Sequence, residues 1–231
     1  MNLIEINNLR KTYDKKIALD NINLKISSGK VIGLLGKNGM GKTTLIKIIN
    51  DLLIPSDGEI LIKGKCPGIE SKKIISYLPE RTYLDKEMNI SQILDYFSDF
   101  YDDFNKDKAL KLLKDLNLDE KLKISKLSKG MQEKLQLILV MSRDAELYIL
   151  DEPIGGVDPA TRDYILDVIL TNFNSEATII ISTHLISDIE RILDEVIFID
   201  NGKIILHSDT DELRRKEGAS IDEIFRRMFK C

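Results

Sequence analysis

The chain has 231 residues, enough for one large domain or one with a subdomain, and its 43% hydrophobic and 31% charged residues are the balance of a soluble globular protein. Its formal net charge of −4, without a long block of one sign, excludes the basic footprint of nonspecific nucleic-acid binding, and no apolar run is long enough to span a bilayer. Cys66 and Cys231 lie far apart and lack metal-ligand spacing, no CaaX pattern surrounds Cys231, and the first residues carry no signal-peptide pattern, so a reduced, cytosolic setting is expected.

Residues 3–6 alternate in polarity, and in 17–26 Ile22, Leu24 and Ile26 share one face; together they predict an antiparallel β-layer ahead of the core. Tyr13 falls between these strands, where an aromatic serves either the core or the stacking of a base. Residues 31–35 form an apolar run that predicts a buried strand, and Leu45, Ile46, Ile48, Ile49 and Leu52 have helical spacing. Between them lies Gly36-Lys37-Asn38-Gly39-Met40-Gly41-Lys42-Thr43-Thr44, which fits G-x-x-x-x-G-K-[ST] without a mismatch. Strand, glycine loop and helix is the context that this phosphate-binding loop requires. Glycines let backbone N–H groups turn inward on triphosphate oxygens, and the helix start adds unpaired N–H groups and a positive dipole end. Lys42 is expected to reach the β- and γ-phosphates, and the Thr43 hydroxyl to ligate Mg²⁺.

A turn at 55–58, a strand at 59–62 and a turn at Lys63-Gly64 follow, then a strand within 72–78 that ends at Pro79-Glu80-Arg81. From 91 to about 141 the pattern is helical. Phe97, Phe100, Tyr101 and Phe104 stand at i, i+3, i+4 and i+7, which places them on one helix face, as subdomain core or as a docking surface for a partner. A second amphipathic helix is read over 109–118, and Leu127-Ser128-Lys129-Gly130-Met131-Gln132 leads into a third that runs to about 142. Strands and helices then alternate: strand 147–150 ending in Asp151-Glu152-Pro153, a helix from Asp158-Pro159 to about Phe173, strand 177–182 ending at Thr183-His184, a helix, a hairpin 195–207 through Asn201-Gly202, and a charged helical end over 209–231. Such alternation after a phosphate-binding loop predicts a parallel sheet with right-handed crossovers.

Several motifs now stand in a recognisable order. Leu127–Gln132 resembles the LSGGQ signature of ATP-binding cassette (ABC) ATPases, Asp151 to Pro159 resembles their Walker B strand end and D-loop, and Ile181-Ser182-Thr183-His184 resembles their switch-histidine motif. Tyr13 stands where the family has an adenine-stacking aromatic, and Tyr77-Leu78-Pro79-Glu80 where it has its Q-loop. The resemblance covers essentially the whole chain, and the ordered set is far more specific than any member. It implies an α/β P-loop fold: a mostly parallel core sheet, the N-terminal antiparallel β-layer, and an inserted α-helical subdomain over 87–142 between core segments 1–86 and 143–231.

The resemblance implies an ATPase that energises a separate transmembrane permease, held at the cytoplasmic face of the membrane through that permease. Two cassettes, as homodimer or heterodimer, would close head to tail on ATP and Mg²⁺. In that scheme Glu152 is the general base, His184 touches the γ-phosphate, Asp151, Thr43 and Glu80 serve the metal, Ser128 and the Gly130 N–H grip the partner's ATP, and Asp158, counted with the nucleotide-binding residues, carries information across the dimer interface. Glu80 departs from the usual Gln, Lys129 from the first signature glycine and Met131 from the terminal glutamine, while Ser128 and Gly130 remain. An exporter-type cassette is expected, with importer as the second reading. The competing functions are a soluble ABC ATPase acting on nucleic acid or ribosomes, disfavoured by the acidic charge, and a non-hydrolysing half of a heterodimer, disfavoured by Lys42, Glu152 and His184.

Overall fold

A computed structural model describes residues 2–229 apart from Asn117, Gly156, Phe173 and Ser175. The expected D-loop residue Gly156, the helix end at Phe173 and the terminal Cys231 lie outside the described residues.

Strands β1 (Asn2–Tyr13) and β2 (Lys16–Ser27) form a hairpin whose last pair is Tyr13↔Lys16, and β4 (Asp57–Ile62) pairs with the other edge of β1. This is the expected antiparallel layer, with β1 far longer than the alternation at 3–6 suggests. Register shifts after Ile6 and again near Leu9 and Lys11 break the period of two while pairing continues, so the strand outruns its own pattern.

The second sheet runs β5-β6-β7-β3-β8-β9, built from β3 (Val31–Leu35), β5 (Ile75–Leu78), β6 (Leu147–Asp151), β7 (Thr178–Thr183), β8 (Glu195–Asp200) and β9 (Lys203–Asp209). All its pairings are parallel except β8 with β9, joined by the Asn201-Gly202 turn. The central strands read as unbroken apolar runs because both faces are covered. Ile32, Leu34, Ile149, Ile180 and Ile197 pack toward helix α1 (Lys42–Ile49) and the antiparallel layer. Their neighbours Leu35, Tyr148, Leu150, Ile181 and Phe198 point the other way, into a core shared with the remaining helices.

The short α2 (Ile69–Ile74) packs through Ile74 on the α1 side, and the helices of the other core are α3 (Ile90–Phe100), α4 (Lys106–Asp115), α5 (Lys129–Met141), α6 (Pro159–Asn172), α7 (Ile186–Ile189), α8 (Thr210–Glu217) and α9 (Ile221–Phe229). Asn89, Asn105, Ser128 and Asp209 each cap a helix by accepting from a backbone N–H of its first turn. The aromatic face expected over 97–104 is divided. Tyr101 turns extended as the C-cap of α3, and Phe104 N–H donates to the Tyr101 carbonyl at 3.0 Å, so the chain folds back. Phe104 returns to Phe97, ring centres 5.5 Å apart, whereas Phe100 faces outward and stacks on Tyr96 at 5.4 Å. The charged end expected as helix begins with the last residues of β9 and breaks between α8 and α9 at Gly218, whose φ of +60° is the left-handed cap of α8.

The register gives the core sheet two unlike ends. At the strand starts, polar groups lock strands together: Gly29 N–H donates to Thr178 Oγ1 (2.9 Å), Val31 N–H to Asp194 Oδ2 (2.7 Å), and Lys30 to Glu195. The carboxyl ends of β3, β5, β6 and β7 are instead where the phosphate loop, Glu80, Asp151-Glu152 and His184 emerge. In open α/β sheets ligands bind at that end.

Candidate functional site

The loop after β3 is shaped by contacts that exclude side chains. A Cβ on Gly36 would lie 2.5 Å from the Ile199 carbonyl oxygen. Gly41, at φ +107°, would set one 2.7 Å from the Ala18 carbonyl oxygen, and its left-handed turn aims the start of α1 into a cleft of about 700 Å³. The first N–H groups of α1 have no intrahelical acceptor and face this space. Tyr13, Asn38, Gly39, Lys42, Thr43 and Thr44 line it together with Glu80, Glu152 and His184.

Lys42 is buried, and its Nζ donates to the carbonyls of Gly36 at 2.7 Å and Lys37 at 3.3 Å. The same nitrogen lies 3.3 Å from Glu152 Oε1. Glu152 adopts φ +53°, a backbone conformation that costs about 1–3 kcal/mol for a residue with a Cβ. Its N–H donates to the Ser182 carbonyl at 2.8 Å and its carbonyl accepts from Gly155 at 3.0 Å, and these bonds hold the turn. The turn directs the carboxylate across the end of β7: Oε2 accepts from Thr183 Oγ1 at 3.1 Å and lies 3.0 Å from His184 Nδ1. One carboxylate thus touches side chains from the start of α1 and the end of β7 while leaving from β6.

Asp151, one residue earlier, is buried, and neither of its carboxylate oxygens makes a hydrogen bond of ordinary geometry. Burial raises its pKa above the ordinary value, and the hydroxyls of Ser182 and Thr43 offset part of the rise. Two orphaned anionic oxygens beside a threonine hydroxyl are a donor set for a hard divalent cation. Among the described residues no group of three or more His, Cys, Asp or Glu could hold an ion. The Asp151 carboxylate and the Thr43 hydroxyl suit Mg²⁺, which is bound through one or two carboxylates together with substrate phosphates.

The remaining candidates stand apart. Lys37 Nζ donates to the Phe229 carbonyl at the end of α9 (3.1 Å), and Met40 turns its sulfur to the Asn201 N–H (3.3 Å), so both side chains leave the cleft to the loop's backbone. Asp158 caps α6, accepting from Thr161 N (3.1 Å) and Thr161 Oγ1 (2.7 Å), and these bonds lower its pKa. Ser128 and Gly130, at the start of α5, do not line the cleft, whereas Lys129 and Glu133 reach its rim, 3.4 Å apart. Lys16, Ala18, Glu133 and Gly155 line the cleft without having been singled out, and Thr183 carried no assigned role. Lys16 could have been found from its place across the hairpin turn from Tyr13; the others depend on tertiary approach. A larger cleft of about 950 Å³ lies between α4 and α6. It has no glycine loop, and its Lys108 is engaged by the Asn172 carbonyl, so the chemistry belongs to the smaller one.

The family model described as ABC transporter matches residues 19–155. The SkfA peptide export ATP-binding protein SkfE of Bacillus subtilis (strain 168) is 31% identical over 211 residues, covering 89% of this chain and 88% of the relative. A solved structure of the ATP binding subunit of an ABC transporter superposes with a TM-score of 0.86 at 27% identity, covering 98% of this chain and 99% of the other. The dimeric structure of the bacterial ABC transporter cassette MJ0796 superposes with a TM-score of 0.77 at 23% identity, over 89% of this chain and 98% of that one, a likeness of fold.

Proposed function

The chain belongs to the ABC transporter family as an ATP-binding, ATP-hydrolysing subunit, and from that premise we propose how its residues divide the work. The carrying observation is the placement of Glu152, just past β6, among Lys42 at the start of α1 and Thr183 and His184 at the end of β7. Lys42, now held by loop carbonyls and Glu152, turns to the β- and γ-phosphates when ATP enters, and the N–H groups of residues 36–44 cradle the same anion. Tyr13 stacks on the adenine. Glu152, released from Lys42, accepts the proton of the attacking water, and His184 holds Glu152 and meets the γ-phosphate. Asp151 and the Thr43 hydroxyl would hold Mg²⁺, with Glu80 lining the cleft with Thr43 and a small cavity with Asp151; the ion would neutralise phosphate charge when bound.

Ser128 and Gly130, together with Asp158, complete the site of a second cassette, so ATP binding and dimer closure are one event. The helices of 87–142 act as the subdomain that presents this signature. A separate permease docks where Tyr83, Tyr96 and Phe100 remain exposed, which keeps the chain at the cytoplasmic face of the membrane; among the described residues no helix is long and apolar enough to cross it. The name of the relative SkfE supports the exporter reading over the importer one. The test is Glu152→Gln. Turnover should fall about 10²–10⁴-fold, the usual contribution of a general base, while ATP with Mg²⁺ yields a dimer on gel filtration. A monomer with unimpaired turnover would defeat the reading.

A further inference from the structure

Helix α5 carries Leu135, Leu137, Ile138, Leu139, Val140 and Met141, all buried, and in their midst Gln136, only 2% exposed. Burying an amide without partners costs about 1–3 kcal/mol, and an aliphatic side chain would fill the same place without that cost. Gln136 Nε2 donates to the Pro79 carbonyl at 3.3 Å, and its Oε1 is buried without a hydrogen-bond partner. The residue borders a small cavity of about 30 Å³ that Glu80, Asp151 and Glu152 also line.

Its place along the helix is informative. The C-terminal end of α5 is fixed to the start of β5 and the end of α2 by shorter bonds: Ser76 Oγ donates to the Val140 carbonyl at 2.8 Å, and Arg143, just past the helix, donates to the carbonyls of Ile75 and Lys73, both at 2.6 Å. Gln136 is one helical turn nearer the signature and reaches the other end of β5, where the chain leaves the sheet toward Glu80.

We propose that Gln136 is a positioning residue: its amide registers the Pro79-Glu80 segment on α5 and thereby sets where the Glu80 carboxylate stands beside Asp151 and Glu152. The inference rests on the metal-side role given to Glu80 above. It makes Glu80 a group whose contribution depends on α5, the helix that Ser128 caps.

The experiment is a double-mutant cycle between Gln136→Met, which preserves length and apolar volume, and Glu80→Gln, with Gln136→Leu measured beside them. The readout is the affinity for Mn²⁺ of the chain saturated with a non-hydrolysable ATP analogue, followed by electron paramagnetic resonance, together with Tm and metal-free nucleotide affinity. Removing the amide should weaken Mn²⁺ binding about fivefold in the wild-type background and less than about 1.5-fold when Glu80 is already Gln, since residues that act through one another are non-additive. Metal-free nucleotide affinity should not change. An equal loss in both backgrounds, or no loss in either, would overturn the inference. Failure of the underlying reading would look different: the wild-type chain itself would bind no Mn²⁺ in a nucleotide-dependent way, and both would fall.

Discussion

The phosphate loop and the signature tip both use glycine, and the structure treats the two glycines oppositely. At Gly41 a Cβ would lie 2.7 Å from a backbone oxygen and the backbone is left-handed, so the chain's own fold demands glycine there. At Gly130 a Cβ would meet nothing within 4 Å, the backbone is helical, and the adjacent Lys129 is 82% exposed. Inside a helix glycine is a poorer choice than alanine by about 0.5–1 kcal/mol. The first glycine is explained within one chain and the second is not, which is why the signature reads as a surface made for another molecule.

Substitution should separate the two. Gly41→Ala forces a Cβ into a left-handed, crowded position and should destabilise the fold by about 2–3 kcal/mol. It should also displace the start of α1 and weaken nucleotide binding about a hundredfold, read by thermal melting and a fluorescent ATP analogue. Intact binding in Gly41→Ala would mean that the cleft is not shaped by this turn. Gly130→Ala should act in the opposite sense. The fold should hold or gain up to about 1 kcal/mol, and single-chain nucleotide affinity should be unchanged. ATP-dependent association and turnover should fall about tenfold or more, because in the proposed closed dimer the added methyl would stand where the partner's triphosphate approaches. A Gly130→Ala chain that turns over normally would show that the signature faces solvent throughout the cycle.

What could be read from sequence divides along the same line. The phosphate loop, the Asp151-Glu152 strand end and His184 were legible because chemistry and local folding demand the same residues at neighbouring positions. The parallel sheet was legible because its strands are buried on both faces and read as apolar runs. Phe104 was misplaced on the α3 face because helical spacing continues past Tyr101, where the backbone has already turned extended. Gln136 and Lys37 were not legible as contacts. Gln136 meets Pro79 across 57 positions and Lys37 meets Phe229 across 192, and no local period encodes approach over such distances.

The smallest effect belongs to the far end of the core sheet, and it tests whether that end serves stability alone. Lys30 and His207 Nε2, the latter at 2.8 Å, both contact Glu195 at the start of β8. Burial alone would raise the Glu195 pKa, but the hydrogen bonds from Lys30 and His207 outweigh it and hold the carboxyl below its ordinary 4.5. A carboxylate with a depressed folded-state pKa stabilises the fold above its unfolded value, and the contribution disappears as pH falls through the folded value. Glu195→Gln should therefore cost about 1 kcal/mol near pH 7 in urea melts, a partly buried pair lying at the upper end for surface salt bridges. The gap between wild type and variant should close only below pH 4.5, and nucleotide affinity should be the same in both chains at pH 7. If Glu195→Gln instead altered ATP binding, the two ends of the sheet would be coupled along β8, whose Phe198 pairs with Leu35 immediately before the phosphate loop, and the separation of a stabilising end from a reactive end would no longer hold.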